Sequence, residues 1–348
     1  MSLGPVMLDL AGIELQPAEK EMLLHPNAGG VILFTRNYES PEQVAALVRQ
    51  IHELRRPHLL VAVDHEGGRV QRFHEGFTRL PPAATFGRIY KSDRGEAKRL
   101  AELAGWLMAR ELRAVGVDFS FAPVLDLGRG VSGVIGDRAF HGKPEVVAEL
   151  TQGYMHGMLQ AGMSATGKHF PGHGTVKEDS HVAHPVDSRP LTDIMMEDVL
   201  PFERLINGGM AAIMPAHVVY PSVDNMPAGY SKIWLQQILR QQLGFQGVIF
   251  SDDLTMEAAG VVGGYVERAR IAMEAGCDMV LVCNHPDGAS QVLEGLGNYS
   301  NPASQLRLVR MHGRDSIDWS SLGNSKEWGD AVAQISRLDD SPWLEMDV

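Results

Sequence analysis

Short apolar runs recur along this chain, each ending on or beside a polar residue. They are VMLDL at 6–10, VILFT at 31–35, LLVAVD at 59–64, VDFSFAPVLD at 117–126, SATGKHF at 164–170, AAIMPAHV at 211–218, GVIFSDDL at 247–254 and DMVLVCN at 278–284. A brief, nearly continuous apolar run bounded by turn formers is the signature of a strand buried on both faces. Between these runs the period changes. Val44, Leu47, Val48 and Ile51 recur at helical spacing within 41–54, and 17–24, 97–115, 144–160, 192–207, 234–243 and 265–275 also have helical composition or spacing, with Thr192 an expected N-cap. Strand followed by helix implies parallel pairing through right-handed crossovers, and eight such units close a (β/α)8 TIM barrel. The expected fold is therefore α/β, a single-domain barrel over 1–293. A C-terminal extension, 294–348, is too poor in core residues to be a domain and is expected to pack on the barrel through Trp319, Trp328 and Trp343. An open doubly wound sheet is the alternative, although no GxGxxG follows the first strand to favour it.

The polar residues that end the runs carry the chemical signal. Asp64, Asp126, Lys168 with His169, His217, Asp252 with Asp253, and Asn284 all fall at or just after expected strand ends, and in a barrel those ends share one face. Any one of them alone reads as a helix cap; six strand ends behaving alike reads as a site. The densest stretch is 167–187, GKHFPGHGTVKEDSHVAHPVD, with four histidines, two lysines and several carboxylates. It is too polar for a core element, so a surface loop is expected above the strand end. Asp252 follows the apolar GVIF and is a candidate nucleophile or base, while Asp253 reads equally well as a cap. Asp179 and His181, two residues apart on an extended loop, face the same side. The carboxylate can then stabilise a protonated imidazole, which makes His181 a candidate general acid and base rather than a solvated loop histidine.

Composition narrows the partners. The chain has 348 residues and a net charge of −12, without a basic run, which argues against nucleic acid or an anionic membrane surface. The opening MSLGPVMLDLAGIEL lacks a basic segment followed by a long apolar core, so neither a signal peptide nor a membrane span is expected and the protein is read as cytoplasmic. Cys277 and Cys283 bracket one expected strand, about 20 Å apart, too far to bridge; two reduced thiols fit the same compartment.

KHFPGHGTVKEDSH at 168–181, with DHEGGRVQR at 64–72, GDRAF at 136–140 and GVIFSDDLTM at 247–256, resembles the family 3 glycoside hydrolases. More narrowly it resembles the single-domain bacterial β-N-acetylhexosaminidases of peptidoglycan recycling, and the likeness runs over about 7–284. That resemblance implies a (β/α)8 barrel and exo-hydrolysis of terminal β-linked N-acetylglucosamine, with retention through a covalent glycosyl-enzyme. It puts the nucleophile on Asp252, the acid/base on His181 with Asp179 as its partner, and sugar binding on Asp64, Arg72, Arg138, Lys168 and His169. It implies a small-molecule sugar substrate taken from muropeptide fragments, no cofactor and no metal, in a monomer. The rivals are a β-glucosidase or a phosphate-accepting phosphorylase of the same family. More distant alternatives are a metal-dependent barrel hydrolase using His169, His173, His181 and His217, and a catalytically silent sugar-binding barrel.

Overall fold

The computed structural model describes residues 2–177, 185–315 and 317–338. Its centre is a parallel eight-stranded sheet of β1 (Val6–Leu8), β2 (Ala28–Leu33), β3 (Leu60–Val63), β4 (Phe119–Ser120), β5 (Thr166–Phe170), β6 (Ala212–Pro215), β7 (Val248–Asp253) and β8 (Met279–Val282), joined in the order β4-β3-β2-β1-β8-β7-β6-β5. The two end strands meet: Val124 bridges Lys168, and the Thr166 and Leu125 amides donate across the seam at 2.8 and 2.7 Å. The ring is thus closed, and all eight apolar runs supply its strands. β4 is shorter than its run suggests because Pro123 has no N–H to give the ladder, so pairing resumes only at Val124.

Helices cover the outside, among them Pro41–Glu53, Arg94–Ala114 and Pro144–Gln160. The expected helix over 192–207 is two, Leu191–Met196 and Val199–Asn207. Thr192 sits inside the first turn rather than capping it, and Pro190 occupies the cap position. The stretch Ile233–Gln242 winds as a π-helix. HEGGRVQR is not a plain loop, since His65–Gly67 pairs with Val70–Gln71 as a small antiparallel hairpin, with Gly67 and Gly68 at φ of 103° and 56° through its turn.

The barrel lumen is filled by aromatic rings. Phe119 and Phe121 of the β4 segment meet Phe250 of β7 with centroids 5.3 Å apart in both pairs, although β4 and β7 are not neighbours in the ring. A contact between non-adjacent strands runs through the interior. Two tryptophans of the extension make described contacts: Trp319 lies 4.8 Å from the Phe77 ring, and Trp328 Nε1 donates to Glu111 at 2.9 Å. Trp343 lies outside the described residues.

Phe250→Ala removes the ring that β7 packs against Phe119 and Phe121 of the β4 segment, and we expect it to cost roughly 3–5 kcal/mol of stability, read as the shift in urea midpoint. Glu111 provides a pH test. Burial pushes its carboxyl up to about 7 from an ordinary 4.5, so the folded state holds a proton that the unfolded state releases. Its contribution is complete below pH 4.5 and is lost as pH rises to about 7, by roughly 3 kcal/mol. Urea unfolding of wild type and Glu111→Leu at pH 4.5 and 7.5 should show a smaller loss in the variant; equal losses would remove Glu111 as the cause.

Candidate active site

The strand ends collect the charged side chains on one face. Asp64 follows β3, Lys168 lies in β5, and Glu66 and Arg138 come from the hairpin and the short turn Gly136–Arg138. Lys168 Nζ donates to Asp64 Oδ1 and contacts Glu66 Oε1, both at 2.7 Å. Arg138 grips Glu66 with two parallel bonds of 2.8 Å, from Nε and Nη2. Two cations and two anions close a neutral cluster in which Lys168 and Glu66 are almost wholly buried, with 4% and 7% of their side chains accessible, while Asp64 keeps 21%. Burial alone would raise the Glu66 carboxyl, but Arg138 and Lys168 outweigh it and hold it far below the usual carboxylate range. Lys168 likewise stays charged: Asp64 and Glu66 overcome the burial that opposes them.

A second unit sits beside it. Asp126 is fully buried and accepts the His169 Nδ1 hydrogen at 2.6 Å and the His173 amide at 2.6 Å. His169 Nδ1 thus carries a hydrogen and its ring is fixed. The glycines of PGHG make this approach possible. Gly172 holds φ of 152° with Asp198 where a Cβ would stand, and a Cβ on Gly174 would lie 2.0 Å from the Leu127 carbonyl oxygen. The stretch is therefore less exposed than its polarity suggests, because His169, His173 and Asp187 are all buried. The His173 ring nitrogens have no partner among the described residues, and burial lowers its pKa.

Alternation along β7 separates the two adjacent aspartates. Asp252 Oδ1 accepts its neighbour's amide at 2.8 Å. Its charge reaches both the His173 and His217 rings. Asp253 points the other way and is structural. It accepts the amide and hydroxyl of Thr255 and the Cys283 amide at 3.0, 2.7 and 3.1 Å, tying β7 to β8, and burial pushes its carboxyl up to about 6.

Three other expectations come out differently in detail. Arg72 does not join the Lys168 cluster by any described hydrogen bond; its guanidinium stands 5.5 Å over the Phe34 ring. Asn284 belongs to a rim network in which it accepts Arg36 Nη1 at 2.8 Å and its amide donates to Asp9 at 3.1 Å. His217 donates from Nε2 to the Asp253 carbonyl at 3.1 Å, and burial lowers its pKa. Asp179 and His181 lie outside the described residues. The chain on either side of them is held together, since Arg189 Nη2 donates to Thr175 and Asp187 at 2.8 and 2.6 Å and its Nη1 to buried Asp198 at 2.8 Å. The residue that sequence reasoning passed over is Glu66. It stands in the DHEGGRVQR stretch, two positions after a strand-end aspartate, and that placement was its only signal.

The strand-end histidines form no three-ligand group among the described residues; the one group of His, Cys, Asp and Glu side chains close enough to hold an ion is His52, His58 and Asp118, at the other end of the barrel. Nor is any described helix long and apolar enough to cross a membrane.

Comparison with known proteins agrees with this architecture. Residues 6–308 match the glycosyl hydrolase family 3 N-terminal domain. The chain is 63% identical over 348 residues, the whole of both chains, to a beta-hexosaminidase from Thioalkalivibrio sulfidiphilus, and 58% identical to one from Methylobacillus flagellatus over 97% of each. It also superposes on the crystal structure of NagZ from Neisseria gonorrhoeae in complex with N-trifluoroacetyl-D-glucosamine, with a TM-score of 0.92 and 47% identity over 97% of this chain and 98% of that one; the same relative has been solved with a zinc ion. With a closed barrel, its charged strand ends and these full-length likenesses in hand, the chain belongs to glycosyl hydrolase family 3, among the single-domain members named beta-hexosaminidases.

Proposed function

We propose that this family 3 hydrolase removes terminal β-linked N-acetylglucosamine from muropeptide fragments of the N-acetylglucosaminyl-1,6-anhydro-N-acetylmuramic acid type, with or without peptide, and does so with retention. The observation that carries the reading is the Lys168–Glu66–Arg138–Asp64 cluster at the same strand-end face as Asp252. A neutral network with one half-open carboxylate and fixed cations suits the hydroxyls and amide of a single sugar, and the Neisseria relative was solved with an N-acylated glucosamine analogue.

In the proposed reaction the Asp252 carboxylate attacks the anomeric carbon while protonated His181, supported by Asp179, gives its proton to the departing oxygen. The glycosyl-aspartate is then cleaved by water, whose proton returns to His181 as the new bond forms at the anomeric carbon. Asp64, Arg138, Lys168 and His169 hold the sugar, and Arg72 completes the rim. Every group proposed for the chemistry comes from one chain, so a monomer suffices. Two free cysteines, Cys277 and Cys283, support a place in the reducing cytoplasm.

The test of activity is release of an aryl alcohol from its β-N-acetylglucosaminide and its β-glucoside, each with chelator and with or without phosphate. We expect cleavage of the first alone, without a phosphate requirement, and a loss of at least about a thousandfold in Asp252→Ala. Preference for the glucoside, or dependence on phosphate, would favour the family's glucosidase or phosphorylase reading instead. Glu66→Gln leaves Lys168 and Arg138 with one anion between them, and we expect kcat/KM to fall by roughly a hundredfold or more. A change within about threefold would show that the cluster only supports the fold.

A further inference from the structure

Three imidazoles and a carboxylate gather at the end of the barrel opposite the catalytic face. His52 lies in the last turn of helix Pro41–Glu53, His58 stands two residues before β3, and Asp118 immediately precedes β4. Crossover helices run antiparallel to the strands, so helix ends and strand starts share this N-terminal face. The His52 and His58 ring centroids are 4.2 Å apart, and His312 of the extension lies 4.1 Å from His58. One donor atom from each of His52, His58 and Asp118 falls within 4.8 Å of the others.

The dimensions suit a small ion. Tetrahedral bonds of about 2.0–2.2 Å put donor atoms roughly 3.4 Å apart. His52 Nε2 already stands 3.3 Å from Asp118 Oδ2. His58 must close in by up to about 1.4 Å, from a separation of at most 4.8 Å to the tetrahedral spacing, a side-chain rotation on a residue that is only partly buried.

The surroundings hold the donors in a ligating posture. His58 Nδ1 is 3.3 Å from the Leu59 carbonyl, so a hydrogen there leaves the Nε2 lone pair available, the orientation that outer-shell carbonyls give metal-bound histidines. Asp118 Oδ1 takes the Gly313 amide at 2.9 Å and faces Arg113 at 3.7 Å, while Oδ2 takes the Val61 amide at 2.9 Å and turns to His52. Burial, with His52 and His312 adjacent, keeps the His58 pKa below its ordinary value. His312 is not a ligand: its two nitrogens face the Val309 and His58 carbonyls at 3.1 and 2.9 Å. It straps the extension to the backbone of His58.

We propose that His52, His58 and Asp118 form a binding site for a divalent transition-metal ion of the zinc class, with water completing the shell. Gly313 and His312 join the extension to two of the three ligands, so the bound ion fastens the C-terminal segment to the barrel floor. Its role is stability, separate from sugar hydrolysis.

The experiment is calorimetric titration of zinc alone into full-length, chelator-treated protein carrying His181→Ala, which removes the active-site imidazole as a competing ligand. We expect one zinc per chain, a Tm raised by a few degrees at saturation, and affinity at least about tenfold weaker when His58→Gln or His52→Gln is added. In a background with His181 intact, both glutamine variants should retain full glycosidase activity. Should His58→Gln be poorly folded, partly exposed His52 carries the comparison, with the metal-free Tm as control. Absence of saturable uptake, or uptake unchanged by both substitutions, overturns the proposal.

Discussion

The constraint on which the catalytic face depends is the pairing of Glu66 with two cations in a nearly buried cluster. Lys168 and Arg138 approach from different elements, and Glu66 answers both, with Asp64 the second partner of Lys168. A buried pair adds little net stability, but removing one partner strands the other at a cost of several kcal/mol. The cluster therefore acts less as glue than as a lock on geometry. It holds the Asp64 carboxylate at the surface of the pocket and leaves no freedom in the side chains that line its floor.

The same logic repeats at smaller scale around the site. Asp126 fixes the His169 ring and the turn through His173, Asp253 fixes the ends of β7 and β8, and Arg189 ties Thr175 to Asp187, on either side of the stretch containing Asp179 and His181. Each uses a buried ionisable group with several fixed partners, an arrangement the closed barrel makes affordable. Its lumen is packed with Phe119, Phe121 and Phe250, so the strand ends do not shift relative to one another. At the opposite floor His312 and Gly313 of the extension meet His58 and Asp118, while Trp319 and Trp328 pack on Phe77 and Glu111. One end is thus shaped for a ligand and the other for cohesion.

The sequence by itself determined the eight strands, the parallel alternation and the polar strand ends, because a strand buried on both faces must be apolar throughout and must stop where polarity begins. It also determined the family, through motifs whose glycines and histidines have few other uses. Boundaries were less legible where backbone chemistry rather than hydrophobicity decides them, as at Pro123 in β4 and at the break between Met196 and Val199. Only the tertiary structure decided which of two adjacent aspartates is tied to the end of β8, that Glu66 is the shared partner of Lys168 and Arg138, and that His52, His58, Asp118 and His312 meet. Residues as far apart as 52 and 312 carry no joint signal along the chain. Their proximity exists only once the ring is closed, and a buried charge can be recognised as paired only when its partner has been folded beside it.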